Sequence, residues 1–106
     1  MIECRCIDAT GKPKEVHDGQ WVQHGFIYHI THVYRHPLQG MMLACTLREV
    51  KMDIKSHPYE TFRLSRFAFN KENFMKLIEL AEACSELDRI DIIKILDANE
   101  LEIIEQ

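Results

Sequence analysis

The sequence predicts an α+β fold: a small, five-stranded, mostly antiparallel barrel over residues 1–70, followed by one or two helices over residues 71–106. Three observations carry this. Every glycine and proline (Gly11, Pro13, Gly19, Gly25, Pro37, Gly40, Pro58) falls before residue 60, the punctuation of short strands joined by tight turns. The apolar residues between those breaks alternate, with aromatic and β-branched side chains prominent. After Asn70 the period lengthens to that of a helix. A chain of 106 residues that is 46% apolar and 28% charged suits a single soluble domain.

Ile2–Ile7 reads as the first strand and Asp8–Lys14 as a loop. Gln20–Gln23 is expected as a short strand before a turn at His24-Gly25. Phe26–Tyr34 is the clearest strand, with Phe26, Tyr28, Ile30, His32 and Tyr34 on one face and Ile27, His29, Thr31 and Val33 on the other. Arg35–Gly40 is a hairpin loop, and Met41–Val50 returns with Met41, Leu43, Cys45 and Leu47 toward the core. Lys51–Thr61 is a polar loop. Phe62–Phe69 is the last strand, and its apolar parity switches, so a bulge or tight turn near Ser65-Arg66 is expected.

Asn70 is a good N-cap for a helix over Lys71–Leu87, with Glu72 in its first turn and Phe74, Leu77, Ile78, Ala81 and Cys84 as its apolar stripe. Asp88 caps a second, short helix reaching Leu96, and Leu101–Ile104 is extended or helical. The end is too apolar to be a solvated tag, so it packs on the domain or on another copy.

The net charge is −4, divided unevenly. Residues 1–70 hold nine Lys/Arg and seven Asp/Glu, for +2; residues 71–106 hold four and ten, for −6. Scattered bases in an acidic chain argue against nucleic acid. Arg63 and Arg66 between Phe62 and Phe67, with Lys12 and Lys14, are the residues that would serve it. No apolar run reaches the ~20 residues of a membrane span. The N-terminus lacks the apolar stretch of a signal peptide, so a cytoplasmic location with reduced cysteines is expected.

Cys4 and Cys6 share a strand face, and with His29 and His32 they are the candidate set for a zinc site. On a strand, however, His29 and His32 point to opposite faces, which leaves buried structural thiols as the competing reading. No nucleophile elbow, phosphate loop or paired catalytic carboxylates are evident, so no enzyme activity and no cofactor are expected. The aromatic residues Trp21, Tyr28, Tyr34 and Tyr59 are candidate contacts for a protein ligand.

Lys12-Pro-Lys-Glu15, Trp21-Val-x-x-Gly25-x-x-Tyr28-x-Ile30, Pro58-Tyr-Glu60 and Ser65-Arg-Phe67 together resemble small proteins of gut anaerobic bacteria and their mobile elements. The Val-x-x-Gly-x-x-Tyr-x-Ile element is similar to the opening strands of SH3-like barrels. The resemblance covers roughly residues 1–70; it implies an SH3-like barrel, and no activity or site residue. The expected function is a non-enzymatic module that binds a protein or itself, as a homodimer, through those aromatics and the apolar end around Ile92–Ile104. Nucleic-acid regulation and zinc binding are the alternatives.

Overall fold

The computed structural model describes residues 1–14, 16–35, 42–50, 61–99 and 101–104. Alternation builds the first strand, β1 (Ile2–Cys6), in which Ile2, Cys4 and Cys6 point inward and Glu3 and Arg5 outward. It is followed by β2 (Ile27–Arg35), β3 (Leu43–Leu47), β4 (Phe62–Arg63), β5 (Phe67–Asn70), two helices α1 (Lys71–Ser85) and α2 (Arg89–Ala98), and β6 (Glu102–Ile104). The strands form one mixed sheet in the order β4-β3-β2-β1-β5-β6. All neighbours are antiparallel except β5 and β6.

Chain continuity curls this sheet into a half-barrel. Only a 3-10 turn, Leu64–Arg66, separates β4 from β5, yet β3, β2 and β1 lie between them in the sheet. The turn also explains the parity switch expected near Ser65-Arg66: it keeps Phe62, Leu64, Phe67 and Phe69 all buried.

Among the described residues the sheet has six strands, and their membership departs from the expected five. Gln20–Gln23 is not a strand. A 3-10 turn occupies Asp18–Gln20, where the Gly19 N–H donates to the His17 ring. Phe62–Phe69 divides into β4 and β5, and Glu102–Ile104 adds a strand. Parallel neighbours need a crossover, which here is the α1–α2 pair carrying the chain from β5 back to β6. In β2 the register shifts between Ile30 and His32. Tyr28 and Ile30 face inward before the shift and Val33 after it, so His32 and Tyr34 are exposed rather than sharing the buried face of Tyr28 and Ile30.

The expected core face of β3 is present in Leu43, Cys45 and Leu47; Met41 lies outside the described residues, as do residues 36–40 and 51–60, where loops are expected from the sequence. The Asn70 side chain accepts from the Asn73 N–H at 2.7 Å to start α1, which buries Leu77, Ile78 and Ala81 and packs across β2, β1 and β5. Asp88 caps α2 through the Asp91 N–H at 2.8 Å, and α2 buries Ile92, Ile95 and Leu96. One core cluster joins both helices to the inner face of the sheet. Among the described residues no helix is long and apolar enough to cross a membrane.

Candidate interaction surfaces

Described residues of the segment between β1 and β2 are held against β4 and the 3-10 turn by side chains. The Trp21 ring packs on Phe62, with centroids 5.1 Å apart, and its indole N–H donates to the Ala9 carbonyl at 2.8 Å. Arg66 reaches across from the 3-10 turn and donates to the carbonyls of Asp8 and Thr10. Lys12 donates to the Val16 carbonyl at 2.7 Å and pairs with Asp18 at 3.3 Å. Tyr28 is 5% exposed, and its hydroxyl accepts the Gln23 N–H at 2.8 Å. Trp21, Tyr28, Arg66 and Lys12, all expected as contacts for a ligand, therefore hold this segment in place. Lys14 is exposed beside it.

Two candidates remain open. Tyr34 is 42% exposed and stacks on the exposed His32, with centroids 6.1 Å apart and planes at 28°. Arg63 is exposed on β4, and Ala44 lies between it and Tyr34 in the cross-strand register. Tyr59 lies outside the described residues.

Cys4 and Cys6 point into the core while His29 lies on the outer face of β2, so the candidate zinc ligands do not converge. Burial, reinforced by the charges of Glu49 and Glu3, pushes the Cys4 thiol up to about 12, and burial also raises Cys6 and Cys45. Among the described residues no group of three His, Cys, Asp or Glu is placed to hold a metal ion.

His29 belongs instead to a polar network that the sequence alone did not reveal. Its backbone N–H donates to Glu49 Oε1 at 2.8 Å, and its ring Nδ1 lies 2.7 Å from Glu49 Oε2. Arg48 adds a contact to Glu49 at 3.0 Å, and Glu3 lies 3.9 Å from the other ring nitrogen. Burial pushes the Glu49 carboxyl up, but the two His29 bonds outweigh it and leave the group below its ordinary value. Beside this network a cleft of about 70 Å³ opens between Arg5, Ile27, Asn73 and Ile104. It has room for a few waters and not for a drug-sized ligand.

The apolar end divides in two. Ile92, Ile95 and Leu96 are core, whereas Ile90 is 66% exposed, Ile93 40% and Ile103 42%. Ile90, outside the range Ile92–Ile104 singled out from sequence, is the most exposed of the three. Its signal was the helical spacing Ile90–Ile93, out of phase with Ile92–Ile95–Leu96. Comparison of the chain with protein-family profiles, with characterised proteins and with solved structures finds no match.

Proposed function

We propose that the chain is a non-enzymatic protein-interaction module, with α2 as its docking element. The observation that carries this is the two-sided character of α2. A helix at a domain surface normally buries one apolar stripe and wets the other side. Here Ile92, Ile95 and Leu96 fill the core while Ile90 and Ile93 face outward. Among the described residues β6 is also an edge strand of the sheet, with Ile103 exposed on it. Three deeply buried thiols with raised proton affinity support a structural and not a nucleophilic use of cysteine. Free, unpaired cysteines also support a reducing, cytoplasmic setting.

The platform for this docking element is an SH3-like barrel. Supporting that assignment are the antiparallel order β4-β3-β2-β1-β5 and the single 3-10 turn joining β4 to β5. The test is the size of the chain in extracts of the cells that make it. It should elute above its 12.5 kDa monomer mass, and Ile90→Ser with Ile93→Ser should return it to that mass without loss of helical circular dichroism. Elution of the natural chain as a monomer in such extracts sinks the reading.

A second reading rests on the exposed Tyr34–His32 stack with Arg63 across Ala44. Stacked rings beside a cation suit single-stranded nucleic acid. An oligonucleotide bound at low salt, and released by Tyr34→Ala or Arg63→Ala, would favour it; no binding at low salt removes it.

A further inference from the structure

We propose that His29 is a proton-operated clasp: with its ring protonated it joins β1 to the end of β3 across β2, and with its ring neutral it holds the β3 side alone. Glu3 of β1 and His29 of β2 are cross-strand partners on the outer face of the sheet. Arg48 and Glu49 follow β3 directly and meet His29 from the other side.

The geometry assigns a different role to each ring nitrogen. The His29 backbone N–H fixes the Glu49 carboxylate through Oε1 at 2.8 Å, which brings Oε2 to 2.7 Å from Nδ1. A carboxylate oxygen only accepts, so the proton of the neutral ring sits on Nδ1. Arg48 Nη2, 3.2 Å from the same nitrogen, accordingly directs its donor to Glu49 Oε2, at 3.0 Å. Nε2 is left with a lone pair, and it faces Glu3 Oε1 at 3.9 Å. Two acceptors facing each other make no bond. One proton taken up on Nε2 creates a charged donor, and a small rotation of the exposed Glu3 side chain closes the gap. The charges around the ring agree. Among the described residues they are Glu3, Glu49 and Arg48, with Arg5 two residues further along β1, while both helices pack on the opposite face. A neutral ring leaves two acids against Arg48; a protonated ring balances them.

The clasp governs the loosely held half of β1. Strand β5 pairs with β1 only at Arg5 and Cys6, so among the described residues Ile2, Glu3 and Cys4 are paired through β2 alone. The cleft opens at this place, with Glu3, Cys4, Asn70 and Asn73 in its lining. A protonated His29 therefore steadies one wall of the cleft and a neutral one releases it. Histidine ordinarily titrates near ~6.5 and glutamate near ~4.3, so the clasp is closed at pH 5.5 and open at pH 8.0, with Glu3 charged at both.

Nitrogen NMR of the natural chain at pH 8.0 tests the first half of this and needs no variant: the His29 proton should be on Nδ1. A double-mutant cycle of Glu3→Gln and His29→Gln, read by urea denaturation, tests the second. At pH 5.5 the two residues should be coupled by about threefold in the unfolding equilibrium, and at pH 8.0 not at all. The exchange protection of the Cys4 amide, corrected for the intrinsic effect of pH, should fall by a similar factor between the two pH values in the natural chain and stay level in Glu3→Gln. A proton on Nε2 at pH 8.0, a coupling equal at both pH values, or a loss of protection that persists in Glu3→Gln would overturn the proposal.

Discussion

The guanidinium of Arg66 lies over the indole of Trp21, its carbon 4.9 Å from the ring centroid. The same side chain donates to the Asp8 carbonyl at 3.1 Å and the Thr10 carbonyl at 2.7 Å, and it stands 3.6 Å from the Asp8 carboxylate. One arginine thus joins the 3-10 turn that curls the sheet to the segment that follows β1.

Removing that arginine should loosen both. Arg66→Ala forfeits a largely buried cation–π contact and two bonds from a charged donor, a loss of about 2–3 kcal/mol. Urea denaturation reads the loss, and Trp21 fluorescence should shift to the red as the ring is uncovered. Arg66→Lys should recover less than half, because an ammonium cannot span both carbonyls from a flat, stacked position. A substitution without effect on stability would show that Trp21 and Phe62 hold the loop by themselves.

The Glu49–His29 network gives a pH dependence of known sign. The folded Glu49 carboxyl lies below its ordinary 4.5, so its stabilisation is present above that value and is lost as the pH falls through the folded value. Asp8, held down by hydrogen bonds from Thr10 and by Arg66, acts in the same direction. Melting temperatures of the natural chain and of Glu49→Gln should differ at pH 6 and converge toward pH 3. A constant gap would exclude the carboxylate as its source.

Thiol reactivity should separate the cysteines. Cys84 is half-buried on α1, while Cys4, Cys6 and Cys45 are in the core. A thiol-exchange reagent at pH 8 should modify Cys84 first and the other three only at the rate of unfolding. Fast modification of Cys4 in folded protein would contradict the burial that raises its pKa to about 12.

Glu86 ends α1 in the left-handed region, at φ 61°. Glycine is the residue that occupies this position without a steric cost. Glu86→Gly should stabilise the fold by about 0.5–1 kcal/mol, read as a rise in melting temperature. A fall would show that the helix end gains more from the glutamate side chain than its backbone loses.

Legibility in the sequence followed the range of the interactions. The Asn70 and Asp88 caps, α1, and the phase switch at Ser65-Arg66 depend on neighbours a few residues apart. The β2 register shift was hidden because Ile30, Thr31, His32 and Val33 can alternate in either phase, and only pairing with β3 chooses. Glu102–Ile104 is a strand only through its place beside β5. At the candidate sites the residue types were informative and their surroundings were not. Tyr28 and Arg66 look like ligand contacts until the Gln23 N–H and the Asp8 and Thr10 carbonyls are seen to occupy them. Ile90 and Ile93 acquire meaning only once the other side of α2 is known to be filled.

The position of β1 carries a consequence for synthesis. The first strand of the chain is interior to the sheet, flanked by β2 and by β5, with Arg5 paired to Ala68. As the polypeptide leaves the ribosome, β1 can meet β2 early but keeps one edge unsatisfied until position 68 has emerged. Closing so long a stretch of chain is slow compared with forming a hairpin. The half-barrel therefore closes late, only once β5 is available, with α1 following directly behind the strand that closes it.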